Sequence, residues 1–153
     1  MLVRTVLPLM LTFVNNKEPI GGRTRFQKMV FLLSQHARFF KNKYDFIPHD
    51  YGPYSQELQN DIDYLIKEGF LTEDRRTIEG GKIKYEYSIT TKGESFVNGI
   101  LSNEKLNKKF QFSLVSELSD EIKNELNHQD LYSLLSEIYQ EYPEYAKYSK
   151  LQY

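Results

Sequence analysis

The sequence has no cysteine, which removes disulfide staples, thiolate metal sites and cysteine nucleophiles together. Histidine is scarce too: His36, His49 and His128 are too few and too scattered for a metal cluster, and no nucleophile elbow, Walker loop or metalloprotease helix occurs. Gly21-Gly22 and Gly80-Gly81 read as turn glycines rather than phosphate cradles. The expectation is a non-enzymatic chain without cofactor or metal. Long hydrophobic runs are missing as well. The longest, Val6 to Val14, is broken by Pro8 and Thr12 and falls short of the roughly 20 residues that span a bilayer. No basic start, long apolar run and small-residue cleavage site follow Met1, so neither a membrane segment nor a signal peptide is expected, and the setting expected is a reducing cytoplasm. Neither sign of charge prevails: the net charge of −1 argues against a protein that coats nucleic acid indiscriminately.

What is present is bulk. The 153 residues are 40% hydrophobic and include ten Phe and twelve Tyr, enough for the core of one ordinary domain. Charge is unevenly spread. Arg23 to Lys43 holds six basic and no acidic side chains, whereas residues 100–153 hold six basic against nine acidic.

Leu2 to Val14 is helical in character, with Pro8 either near its start or at a kink. A break at Asn15, Asn16, Pro19, Gly21 and Gly22 precedes a second helix, capped by Thr24 and reaching about Lys41, with Phe26, Met29, Val30, Leu33, Ala37 and Phe40 on one face. On the same wheel Arg23, Gln27, Ser34, Arg38 and Lys41 form a basic outer stripe, while Arg25 and His36 flank the apolar face and should be partly buried. Ser55 caps a third helix carrying Leu58, Ile62, Leu65 and Ile66 and stopping at Gly69. Phe70 to Thr72 and Lys82 to Thr90 read as strands joined through Glu79-Gly80-Gly81. Thr91 caps a fourth helix, and further helices follow at about Asn107 to Leu126 and Leu131 to Tyr142.

This order gives the fold class as α+β, mostly helical: a winged helix-turn-helix-like core with a two-stranded wing over residues 1–101, and a helical extension over 102–153 packed on it as one compact domain. Two apolar stripes, Leu114, Leu118, Ile122 and Leu126, then Leu131, Leu134, Leu135 and Ile138, make a homodimer the expected assembly. The tyrosine-rich end (Tyr139, Tyr142, Tyr145, Tyr148, Tyr153) has the aromatic content of a protein interface, or packs back on the first helix.

Three segments carry a resemblance: Pro19 to Leu33, Phe46 to Ser55, and Tyr142-Pro143-Glu144-Tyr145-Ala146. Together they resemble the uncharacterised YwgA-like family of bacteria and archaea, over nearly the whole chain. More loosely, the early Gln27-Lys28 pair and the Gly52-Pro53 before a later helix resemble the Panacea domain of SocA-type antitoxins. Residues 44 to 100 resemble the wing half of PadR-type repressors, with Thr91-Lys92-Gly93 as helix start. The first resemblance implies no settled activity; the others imply toxin neutralisation or gene regulation, by fold analogy.

Two groups of residues are candidate sites. For duplex DNA they are Arg23, Arg38 and Lys41 of the stripe with Arg75, Arg76, Lys82 and Lys84 of the wing, because phosphate neutralisation dominates such affinity. Against this reading, the third helix holds Glu57, Asp61, Asp63 and Glu68 with Lys67 alone, and Glu73, Asp74, Glu79 and Glu86 offset the wing. The second group is the family motif, Arg25, Gln27 and Lys28 with His49, Asp50, Tyr51, Gly52, Pro53, Tyr54 and Ser55. It reads as a ligand site at a helix N-terminus. The simpler reading is structural: Gly52-Pro53 shapes the helix entry, the tyrosines fill the core, and Asp50 pairs with Arg25 or Lys28. The functions that follow are a winged-helix DNA-binding regulator or antitoxin-like module, or else a protein-interaction or ligand-sensing adaptor on the same frame without DNA binding.

Overall fold

The computed structural model describes residues 1–151; Tyr153 of the tyrosine-rich end lies outside the described residues. The chain is α+β, with seven α-helices and two small antiparallel sheets among the described residues. No helix among them is long and apolar enough to cross a membrane.

Helix α1 (Val6–Lys17) follows a 3-10 turn at Val3–Thr5, so Pro8 sits in the first turn, where a helix makes little use of its N–H groups. Leu7, Leu9, Met10 and Leu11 are fully buried. The regular helix ends at Phe13: Asn15, Asn16 and Lys17 all have φ between 54° and 59°. That left-handed conformation suits asparagine, and it turns the chain into β1 (Ile20–Gly21).

Helix α2 (Arg23–His36) is the centre of the molecule. Its N-cap is Gly22, with no side-chain cap, rather than Thr24, and it stops at His36, short of Lys41. Arg38–Phe40 is a separate 3-10 turn. Phe26 to Phe31, Leu33 and Ser34 are all buried, so the helix is covered on nearly every side. The outer stripe expected from the wheel therefore does not exist as a surface. Gln27 and Ser34 are interior, Arg38 and Lys41 are exposed beyond the helix end, and His36, expected to be partly buried, is exposed.

Strands β2 (Ile47–His49) and β3 (Gly52–Tyr54) form a hairpin before α3 (Gln56–Lys67). Ser55 caps α3 as expected, its Oγ accepting from the N–H of Leu58 at 3.1 Å, and replacing it with alanine should lower stability by about 1 kcal/mol in a denaturant titration. Strand β4 (Leu71–Thr77) is longer than the three residues read from the sequence, and pairs with β5 (Ile83–Ile89) from Leu71↔Ile89 to Thr77↔Ile83. The β4–β5 hairpin gains a third strand, since β1 pairs with β5 and the order is β1-β5-β4. Two residues gave the sequence too little to read as a strand.

Helix α4 (Thr91–Ser102) is capped by Thr90, not Thr91. The helix expected at Asn107 to Leu126 is broken at left-handed Gln111 into α5 (Glu104–Phe110) and α6 (Phe112–Leu126). The core face of α6 is Phe112, Val115, Ser119, Lys123 and Leu126, whereas Leu114 is exposed. Helix α6 lies against α1 and α2. In α7 (Leu131–Glu141), Leu134, Leu135, Ile138 and Tyr139 are buried, so that stripe is spent within the chain. Tyr142 and Tyr145 set their ring edges against Phe31 of α2, 5.0 and 4.9 Å between centroids, rather than reaching α1.

Candidate ligand cleft between α2 and α3

Gln27, Lys28 and the segment His49 to Ser55, twenty-eight positions apart at their extremes, converge where α2 meets the start of α3. Gln27 is the joint. Its Nε2 donates to Ser55 O and its Oε1 accepts from Ser55 N–H, both at 3.0 Å and buried, so one side chain satisfies both backbone groups of the α3 cap residue.

One turn along, Lys28 is 2% exposed. Burial alone pulls its ammonium down from 10.5 to about 7, and among the described residues its Nζ has neither a hydrogen-bond nor an ion-pair partner. Gly52 lies over the lysine stem. A Cβ at Gly52 would stand 3.3 Å from Lys28 Cε and 3.1 Å from Leu135 Cδ2, and its φ of +85° already disfavours a side chain. The hairpin is held from behind by the C-terminal segment: Lys150 N–H donates to Asp50 O at 2.8 Å, and Lys150 Nζ pairs with the Asp50 carboxylate at 3.1 Å.

The result is a cleft of about 530 Å³ with Lys28 at its floor and Arg23, Thr24, His49, Tyr51, Tyr54 and Asp63 around it. That volume falls within the range of small-molecule sites. The structural reading of the motif is corrected on two points. Tyr51 is exposed and Tyr54 only half-buried, so neither fills the core; the Tyr54 ring lies 4.9 Å from that of His49. Asp50 pairs with Lys150, and with neither Arg25 nor Lys28. Arg25 is half-buried as expected, but its guanidinium donates to the carbonyls of Gly21 and Leu126, clasping the end of α6. Burial lowers its pKa, opposed by the charge of Asp130.

The residues expected to meet DNA do not form one surface. Arg23 lies over the Tyr85 ring at 4.1 Å, donates to Tyr87 Oη and faces Glu73 at 3.8 Å. Arg76 pairs with Glu86 at 3.5 Å, while Arg75, Lys82 and Lys84 make no ion pair among the described residues. Arg38 and Lys41 lie past the other end of α2, roughly 20 Å from Arg23 at 1.5 Å rise per residue. The acidic character of α3 is also less than its composition suggests. Arg4 bonds Asp61 at 2.8 Å and Glu57 at 3.1 Å, and Tyr44, its phenol pushed up first by burial and then by Asp61, donates to Asp61 at 2.7 Å. The outward residues of α3 are then Gln56, Asn60, Asp63, Tyr64, Lys67 and Glu68.

Sequence reasoning missed Arg4, Lys123, Lys150 and the depth of Lys28. Only Lys28 had a signal: Phe31, three residues on, is a second apolar side chain off the main face of α2, which marks a helix buried on both sides.

No protein-family model matches the chain. It is similar to Uncharacterized protein YwgA of Bacillus subtilis (strain 168), with 41% identity over 90 residues, 59% of this chain and 52% of that protein. The chain thus spans about half the length of the curated relative it matches. This similarity supports the likeness to a YwgA-like uncharacterised family, and gives none to the Panacea or PadR likenesses.

Proposed function

We propose that the chain is a non-enzymatic regulatory module on a winged-helix frame, and that its input is a small ligand held in the cleft between α2 and α3. The frame is supported by the order α1, β1, α2, α3, β4, β5, interrupted by the β2–β3 hairpin between α2 and α3, and by β1 lying beside β5. The observation that carries the ligand reading is Lys28, a buried amine with no partner among the described residues, at the floor of an open cleft. Unpaired buried charge is expensive, and a chain that retains it has a use for it. The connection between α2 and α3 also favours this reading: residues 37–55, with the β2–β3 hairpin, stand where a helix-turn-helix has a tight turn.

Duplex DNA binding is the second reading, favoured by Arg4 neutralising Glu57 and Asp61 and by Arg75, Lys82 and Lys84 of the wing, which have no ion pair among the described residues. Two measurements separate them. Amide chemical-shift mapping with a small-molecule library should move residues around Gln27, Lys28, His49 and Tyr51, while fluorescence anisotropy on a mixed-sequence duplex should show only weak binding, in the range of roughly 10⁻⁴ to 10⁻⁶ M typical of non-specific contacts. Tight, steeply salt-dependent duplex binding that is lost on charge reversal at Arg75, Lys82 and Lys84, with no cleft response to any small molecule, would reverse the order of the two readings.

A further inference from the structure

Resting on the ligand-sensing reading, the geometry points to a ligand class: a small molecule with a planar body and one oxyanion, phosphate or carboxylate, seated on Lys28 and the first turn of α2. Three observations converge. The Lys28 ammonium has three donors and uses none of them on a described residue. The two carboxylates nearest to hand are engaged elsewhere: Asp50 by Lys150, and Asp63 by the amide of Gln59 at 3.1 Å. No described residue supplies the acceptor that Lys28 lacks.

The second observation is the start of α2. This fourteen-residue helix begins at Gly22 with no side-chain cap and no acidic residue in its first turn, and Arg23 and Thr24 of that turn line the same cleft. A helix N-terminus so exposed favours an anion. Arg25 of the same turn faces away from the cleft and donates to the carbonyls of Gly21 and Leu126. A cationic ligand is disfavoured by Lys28 and Arg23 together.

The third is size and shape. The cleft exceeds what a bare phosphate fills, and its wall offers the paired rings of His49 and Tyr54 with Tyr51 open to solvent. These suit a flat body beside the charged group. Other polar hollows and buried charges lack this combination. Lys123 spends its amine on the carbonyls of Thr12 and Val14. The hollow of about 650 Å³ beside Asn15–Lys17, facing Glu94, Glu117 and Asp120, contains no buried polar side chain.

The test uses three probes on the full chain by calorimetry and amide shift mapping: adenosine monophosphate, benzoate and adenosine. The first two carry an oxyanion on a planar body, and the third lacks it. At least one charged probe should bind, adenosine should not, and which charged probe is tighter separates phosphate from carboxylate. Binding should take up protons near neutral pH, measured as a heat that varies with buffer, as Lys28 is charged by its new partner; Arg23, His49, Asp50, Tyr51, Tyr54 and Asp63 also face the cleft, so the uptake must vanish in the variant. Lys28→Met, and Lys28→Gln as a polar control, should weaken charged-probe binding by about tenfold or more. Charged probes that fail to bind, or that bind Lys28→Met equally, overturn the inference. If adenosine binds the cleft as well as its monophosphate, the anion class falls while the ligand reading stands; if no probe or library compound moves cleft resonances, both fall.

Discussion

Gly93→Ala should lower stability by about 2–3 kcal/mol, a fall of roughly 5–10 °C in melting temperature for a chain of this size. Gly93 is buried in the first turn of α4, its N–H donating to Thr90 Oγ1 at 3.1 Å. A Cβ there would meet the carbonyl oxygen of Phe70 at 2.3 Å and Ile89 Cγ1 at 2.7 Å. The first is backbone and cannot swing aside; the second is the Cγ1 of a β-branched side chain, which has little rotamer freedom. The helix, the start of β4 and the end of β5 would have to separate. Gly99 of the same helix supplies the control. Its Cβ would meet nothing within 4 Å, and Gly99→Ala should raise stability by up to about 1 kcal/mol through helix propensity alone. Thermal melts of the two variants beside the parent check both signs; equal melting of Gly93→Ala and parent would mean that α4 does not depend on close approach to the β4–β5 hairpin.

The same glycine shows how the sequence could be read and where reading stopped. Thr91-Lys92-Gly93 marked a helix start, and a helix starts there, but the cap is one residue earlier and the reason for the glycine, contact with a carbonyl twenty-three residues away, has no local signature. Elements with strong periodicity or punctuation were legible: α1, α3 between Ser55 and Gly69, the hairpin tip at Gly80-Gly81, and the buried stripe of α7. Features set by long-range partners were not. Strand β1 exists only because β5 lies beside it, and Gln111 breaks a helix that periodicity continued.

The candidate site was half legible. Its members were recognised as a motif, but their roles were assigned by the usual behaviour of each residue type. Tyrosines were given to the core and lysine to an ion pair. Tertiary packing reversed both, because the C-terminal segment pins the hairpin through Asp50 and closes Gly52 over the stem of Lys28. The acidic look of α3 likewise depended on counting charges along one helix, when two of them belong to Arg4 near the N-terminus.

The two buried lysines should respond in opposite directions to loss of their amines. Lys28→Met should raise stability at neutral pH by on the order of 3 kcal/mol, since the methionine keeps the stem beneath Gly52 and removes an ammonium that folding desolvates without return. The sign with pH follows from the lowered value. Between about 7 and 10.5 the unfolded chain holds a proton on Lys28 that the folded chain does not, so parent stability climbs as pH rises through that window. The gap between variant and parent should therefore be widest near neutrality or below, and nearly close by about pH 10. Lys123 is also lowered, to about 8, by burial first, with Glu18 and Asp120 opposing. Its Nζ nevertheless donates to Val14 O at 2.9 Å and Thr12 O at 3.4 Å, where α1 departs from helical geometry. Lys123→Met removes both bonds inside the core and should cost about 2 kcal/mol. Urea titrations of both variants and the parent at neutral and alkaline pH test the pair; a Lys28→Met variant less stable than the parent at every pH would show that the Lys28 amine is satisfied within the fold, and that no external anion is needed to complete it.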